Sequence, residues 1–207
     1  MNKYPLAAFL LFFSLLNFKL TAQNFDINTL KKINGSESAF KTNFFKGEAQ
    51  SVTFFNIAAP AGVFIAGELK HSKQLKKEAV YMMGSFVLSS IITTATKNIV
   101  KRERPFDKYP FIVKRDAGGS YSLPSGHTSA AFTTATSLSL LFPKWYVIAP
   151  AYIWAGTVGY GRLYLGVHYP TDILAGALVG AGSAWLGWKA QKWIERKHNP
   201  VKPVNPL

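Results

Sequence analysis

Gly161-Arg162-Leu163-Tyr164-Leu165-Gly166-Val167-His168-Tyr169-Pro170-Thr171-Asp172 joins two stretches without a single charge, 145–161 and 173–188. Three more uncharged stretches precede them, at 49–67, 79–96 and 128–143, so five segments of 16 to 19 residues recur along one chain. That length lies near the lower end of what crosses a bilayer as a helix, about 17 to 25 residues. Their texture fits lipid: Trp145, Tyr146, Trp185 and Trp188 stand near segment ends, where membrane interfaces favour aromatics. Gly176 with Gly180 and Ala177 with Ala181 would let helices approach closely. The expected fold is all-α, an integral membrane bundle of about five spanning helices. A soluble bundle whose core helices are apolar all round is the rival, and a mean hydropathy of +0.09 keeps it open.

Composition sets the outer limits. A chain of 207 residues with 48% hydrophobic and 14% aromatic content is one domain with ample surface to bury or give to lipid. A net charge of +14 calls for an anionic partner: nucleic acid, an anionic membrane surface or a phosphorylated substrate. Cysteine is absent, which excludes disulfides and thiolate metal sites.

The N-terminus reads as a secretory signal, with Lys3 as a short positive region, 6–16 as the apolar region and Leu20-Thr21-Ala22 as the cleavage site before Gln23. An uncleaved anchor, which would make a sixth span, is the other reading. The uncharged run 4–18 is short for it, and cleavage is favoured. Either way residue 24 lies outside the cytoplasm. The expected organisation is signal 1–22, exported segment 23–48, membrane domain 49–188 and basic cytoplasmic tail 189–207, the tail disordered or surface-bound. Within 24–48, Ile27, Leu30 and Ile33 suggest an amphipathic helix on the outer membrane face.

Lys70, Lys73, Lys76 and Lys77 fall in the loop between the first two segments, and positive loops stay inside. Counting outward, the segment ends at 96, at 125 and at 161–172 all lie on the outer face, while Lys144 and the 189–207 tail lie inside. The loop 97–115 breaks the rule with Lys97, Lys101, Arg102, Arg104, Lys108, Lys114 and Arg115. The simplest account is that part of this charge serves a phosphate. Lys108, Lys114 and Arg115 are read as surface charges, and Lys101 and Arg102 are left open.

Phosphoryl transfer needs positive charge on the equatorial oxygens, an in-line nucleophile and an acid for the leaving oxygen. Lys97 as a point charge and Arg104 and Arg162 as planar donors supply the first. Pro124-Ser125-Gly126-His127 precedes an apolar run and makes a helix N-terminus, where free N–H groups favour an anion. There Gly126 allows close backbone approach, and Ser125 either caps the helix or donates to phosphate. His168 and Asp172, four apart with Pro170 between, suit a turn entering a helix. Asp172 would then fix the imidazole tautomer and support the charge that develops as the other nitrogen attacks phosphorus. A metal is the competing use of such residues, but the surrounding cations repel a divalent ion and welcome an oxyanion, so no metal and no cofactor are expected.

The order Lys97, six residues, Arg104-Pro105, then Pro124-Ser125-Gly126-His127, then Arg162, five residues, His168, three residues, Asp172 resembles the motifs of the type 2 phosphatidic acid phosphatase (PAP2) and vanadium haloperoxidase superfamily. One element departs: Gly161 stands where the family has a serine before the arginine. The resemblance implies a helical lipid phosphatase in which His168 forms a phosphohistidine and His127 protonates the leaving group and later activates water. Lys97, Arg104, Ser125, Gly126 and Arg162 are then the phosphate-binding set.

The reading is hydrolysis of a lipid phosphomonoester or diphosphate at the outer face of a bacterial inner membrane. The substrate is undecaprenyl diphosphate first, with phosphatidic acid, phosphatidylglycerol phosphate and lipid A phosphates behind. The partners are the lipid substrate and the membrane, with neither nucleic acid nor an obligate protein partner. A soluble exported acid phosphatase of the same superfamily, a vanadate-dependent haloperoxidase and a non-catalytic lipid-phosphate-binding protein are the other readings.

Overall fold

The computed structural model describes residues 25–198, all of whose regular structure is helical. The expected signal segment and the last nine residues, 199–207, lie outside this range. Helix α1 runs over 25–34. It is followed by α2 (Ala39–Leu69), α3 (Lys73–Val100), the single turn α4 (Pro105–Lys108), α5 (Gly126–Leu141), α6 (Trp145–Tyr164) and α7 (Pro170–His198). The five uncharged segments are the bodies of α2, α3, α5, α6 and α7.

Local chemistry sets the helix ends. Ser38, Ser72 and Ser125 are N-caps, with Ser38 Oγ accepting from Lys41 N at 3.3 Å and Ser72 Oγ from Leu75 N at 3.3 Å. Pro170 opens α7, where its missing N–H costs nothing. Lys101 ends α3 in the left-handed region at φ 51° and returns its N–H to Lys97 O.

Helix α5 is the hub, touching α2, α3, α6 and α7. Its Ala, Ser and Thr residues are small enough to admit neighbours on every side, and Ala131, Ala135, Thr128 and Ser129 are all buried. The tightest approach is to α7. A Cβ on Gly176 would lie 2.7 Å from Ser125 O, and one on Gly180 only 2.2 Å from Ser129 O, so the two backbones meet where the side chains vanish.

Hydroxyls tie the interior together. Ser89 and Ser129 share a 2.6 Å bond, Thr93 donates to Ser129 Oγ at 3.0 Å, and Tyr81 donates to Ala184 O at 2.9 Å. The outside is the reverse of a soluble surface: Phe54, Ile57, Ile65, Val80, Ile91, Ile153, Leu174 and Leu178 are exposed. By length and apolarity, α2 and the stretch Lys73–Lys108 are long enough to cross a bilayer.

Three expectations change. Helix α1 turns its apolar face to the protein, with Leu30 fully buried and Ile27 and Ile33 packed beside Ile112, Leu163 and Tyr169. The loop after α4 gives it a better apolar partner than a lipid surface. Residues 189–198 continue α7 as helix, because Gln191, Lys192 and Glu195 are good helix formers. Glu195 binds Gln191 at 3.1 Å and Lys192 at 3.2 Å within α7, and Gln74 of α3 at 3.3 Å. Helix α2 begins at Ala39, so the segment boundary expected at 48/49 falls inside a helix.

Candidate active site

The C-terminal ends of α3 and α6 and the N-terminal ends of α5 and α7 converge at one end of the bundle. Between them lies a cavity of about 480 Å³ whose lining includes Lys97, Arg104, Gly126, His127, Arg162 and His168. Six of the eight residues singled out from the sequence are therefore on one surface. The other two sit beneath it. Ser125 is fully buried, accepts from Thr128 Oγ1 at 2.9 Å and donates its N–H to Asp172 O at 3.0 Å, so of its two expected uses it serves as the cap. Asp172, also fully buried, lies behind His168.

His168 is held by the α6–α7 connection. Gly166 adopts φ +74°, a left-handed conformation that glycine takes without penalty, and a Cβ there would come within 2.4 Å of Val113 O. This bend returns the chain so that Val167 N reaches Arg162 O at 3.2 Å and the His168 ring faces inward. Its Nδ1 is 3.6 Å from Asp172 Oδ2 and 3.5 Å from Ser122 Oγ, while Nε2 is 3.5 Å from Arg104 Nη1. With the proton on Nδ1, facing the carboxylate, the lone pair on Nε2 points at the cavity. Burial, reinforced by the Arg104 and Arg162 charges, holds the imidazole down to about 4 against the support of Asp172, so the ring is neutral near pH 7.

His127 stands across the cavity on the first turn of α5. The charged groups around it are Arg162, Asp116, Arg104 and Lys97.

The cations are fixed by backbone and acid partners. Arg104 donates Nε to Ser120 O at 2.6 Å and Nη1 to Val167 O at 2.9 Å, which aims the rest of its fork at the cavity. Lys97 reaches Tyr121 O. Arg162, 2% exposed, pairs through Nη1 with Asp116 at 2.6 Å, and its buried Nε has no partner among the described residues. An unsatisfied guanidinium donor is costly to bury, and a bound oxyanion would satisfy it.

Gly161 faces away from this chemistry. A Cβ there would lie 2.8 Å from Phe45 Cδ1 and 3.1 Å from Glu48 Oε2, so the space beside residue 161 is filled by α2. The expected loss of a phosphate-binding hydroxyl is matched by close packing of α2 on α6.

Sequence reasoning missed four side chains. Asp116 holds Arg162. Ser122 donates to Asp172 Oδ2, which also accepts Tyr169 N at 2.9 Å. Arg102, left open, binds Asp172 Oδ1 at 2.5 Å and Asp26 at 2.7 Å. The usable signal was scarcity: against 24 basic residues the chain has only 10 acids, so any acid near a basic cluster is a candidate counter-charge.

The cavity also has an apolar arm. Val52 and Ile57 of α2, Phe86 of α3 and Ala130 of α5 continue its wall away from the charged end.

Comparisons with known proteins place this geometry. The chain is 31% identical over 136 residues to an undecaprenyl-diphosphatase of Sulfolobus acidocaldarius, covering 65% of this chain and 63% of that one. Over 84 residues it is 40% identical to a lipid A 4'-phosphatase of Bacteroides thetaiotaomicron, covering 41% and 37%. It thus spans between roughly one third and two thirds of the length of these curated relatives. Among solved structures, Aquifex aeolicus LpxE superposes with a TM-score of 0.70 at 25% identity, over 79% of this chain and 94% of that one. A transmembrane PAP2-type phosphatidylglycerolphosphate phosphatase from Bacillus subtilis has the same fold, with a TM-score of 0.70 at 23% identity over 96% and 100%. The apolar exterior, the two bilayer-length helices and these neighbours make this a membrane protein. The PAP2 superfamily model matches residues 78–196, from the body of α3 to the end of α7 and so across every side chain that lines the charged end of the cavity, and the chain belongs to that superfamily.

Proposed function

We propose that this protein hydrolyses a lipid phosphomonoester or diphosphate through a phosphohistidine on His168. The observation that carries the reading is the cavity itself: Lys97, Arg104 and Arg162 line it with the imidazoles of His127 and His168, and the same cavity is also lined by Val52, Ile57 and Phe86 as an apolar arm. The charged end suits a phosphate and the arm suits the start of a lipid chain.

In the first step Nε2 of His168 attacks phosphorus while the bond to the leaving oxygen breaks and His127 gives that oxygen its proton. Asp172 holds the Nδ1 proton and supports the cationic phosphohistidine. Arg104, Arg162, Lys97 and the N–H groups at Gly126 and His127 take the charge on the equatorial oxygens. In the second step His127 removes a proton from water, which attacks phosphorus and releases inorganic phosphate and neutral His168. No metal enters either step.

The best substrate is undecaprenyl diphosphate, supported by the relative that acts on it over 65% of this chain. Lipid A is the second reading, favoured by the 40% identity to a lipid A 4'-phosphatase. The five long helices are read as spans of an inner membrane with the site on the outer side. The basic loop 70–77 lies at the opposite end, which supports that orientation.

The test is phosphate release in detergent with excess chelator, from undecaprenyl diphosphate, lipid A, phosphatidic acid, phosphatidylglycerol phosphate and a soluble phosphomonoester. Release favouring lipids is expected, with a loss of about 10⁴-fold or more in His168→Ala. Equal release by the variant, or a requirement for divalent metal, would refute the mechanism. Strong preference for the soluble ester would refute the lipid reading.

A further inference from the structure

Helix α1 lies outside the matched family region and supplies nothing to the cavity wall. Nevertheless it places one carboxylate, Asp26, 2% exposed, beside the machinery. Asp26 accepts from Thr171 N at 3.0 Å and from Thr171 Oγ1 at 2.5 Å, and binds Arg102 Nη2 at 2.7 Å. Arg102 in turn puts Nη1 on Asp172 Oδ1 at 2.5 Å and on Thr171 Oγ1 at 2.7 Å, and its guanidinium lies 3.9 Å from the centre of the Tyr169 ring. The carboxylate of Asp172 is thereby divided. Arg102 holds Oδ1, and Oδ2 is left for Ser122, Tyr169 N and His168.

We propose that Arg102 and Asp26 are positioning residues: Arg102 locks the rotation of Asp172 toward His168, and Asp26, delivered by α1, balances the arginine so that its charge does not cancel the field of Asp172 at the imidazole. This rests on the phosphohistidine reading above.

Three features single out the pair. Arg102 is planar and bidentate, and only a fork can span two carboxylates at once. It is clamped on a ring face, so its position is set before substrate arrives. Helix α1 is docked by more than this ion pair: Leu30 is fully buried, and Asn34 donates to Val113 O and to Tyr164 O, each at 3.0 Å. Charge on Arg102 that Asp26 did not cancel would weaken Asp172 as a support for the imidazolium.

The charged groups facing His168 are Asp172 at Nδ1 and Arg104 at Nε2, with Arg162 beyond. Lys97, Arg162, Arg104 and Asp116 face His127. Neither substitution below touches Arg104, Arg162, Lys97 or Asp116. Arg102→Gln removes a positive charge behind Asp172, so the His168 imidazolium is favoured and the acid limb of the kcat/KM profile moves to higher pH. Asp26→Asn removes a negative charge, disfavours the imidazolium and moves the limb to lower pH. Damage to the fold cannot produce opposite shifts.

The experiment is steady-state hydrolysis of undecaprenyl diphosphate by full-length protein in detergent, as a function of pH, with thermal unfolding of each variant. Arg102→Gln is expected to lower kcat about 10- to 100-fold with KM little changed, as for the loss of an outer partner of a reactive group. Asp26→Asn, which keeps an acceptor for Thr171 N, is expected to lower kcat about threefold. Arg102→Lys should keep the wild-type limb because it keeps the charge, yet leave kcat low because one ammonium cannot bridge both acids. If Arg102→Gln does not fold, Asp26→Asn and Arg102→Lys decide. Unchanged kcat and limbs in active, folded variants, or limbs that shift together, would overturn the positioning role alone. A wild type that releases no phosphate from any lipid would overturn the hydrolase reading beneath it.

Discussion

The two ends of the bundle carry similar charge and use it differently. At one end Arg104, Arg162 and Asp172 are buried, and each is fixed by a backbone carbonyl, a carboxylate or an arginine. At the other, Lys76 pairs with Glu68 at 2.6 Å and Lys192 with Glu195 at 3.2 Å, both near solvent, with side-chain exposures of 35% and 52%, and 42% and 22%. The first arrangement costs desolvation energy, which its fixed partners offset and which an anion bound as proposed would offset further. The second costs little and contributes little. Burial and fixed partners, rather than the number of cations, distinguish the end proposed as the site.

That contrast can be broken first at Arg162. Arg162→Ala should lower kcat/KM by about 10²- to 10³-fold, the scale of losing a preorganised donor. It also leaves Asp116 without its cation. Measured with inorganic phosphate as competitor, the variant should also lose product inhibition. Wild-type kinetics would mean that its buried Nε does not meet the substrate.

Gly161→Ser sharpens the packing side of the comparison. If the space beside residue 161 belongs to α2, the serine should destabilise the protein by about 1–3 kcal/mol through crowding of Phe45, with no gain in kcat. Thermal unfolding and turnover together decide, and a faster, equally stable variant would return the serine to the phosphate site.

Lys192→Ala, at the opposite end, gives the smallest effect. Stability should change by less than about 0.5 kcal/mol and turnover not at all. A clear loss of activity would show the two ends to be coupled.

Much of this was legible in the sequence because it is written in order along the chain. Lys97, Arg104, His127, Arg162 and His168 stand near the ends of uncharged runs at fixed spacings, and helix geometry brings those ends together. What stayed hidden is what depends on contacts between distant residues. Asp26 meets Arg102 across 76 positions and Arg162 meets Asp116 across 46, and neither pair leaves a local pattern. The tail misled for a related reason. Lys189, Lys192 and Arg196 read as a solvated run, but Gln74 of α3 gives Glu195 a partner that holds the helix on. Gly161 could be read only as an absence until Phe45 was seen to occupy the space.

The cavity has two kinds of wall, and the two products of the proposed reaction differ in the same way. The lipid product of the proposed reaction would leave along the apolar side, past Val52, Ile57 and Phe86, and from a diphosphate it would take its remaining phosphate with it. Inorganic phosphate has no reason to enter that arm and is gripped by the groups that gripped the substrate. On the proposed mechanism inorganic phosphate should inhibit hydrolysis by occupying the charged end of the cavity, a competition that steady-state rates at varied phosphate would measure.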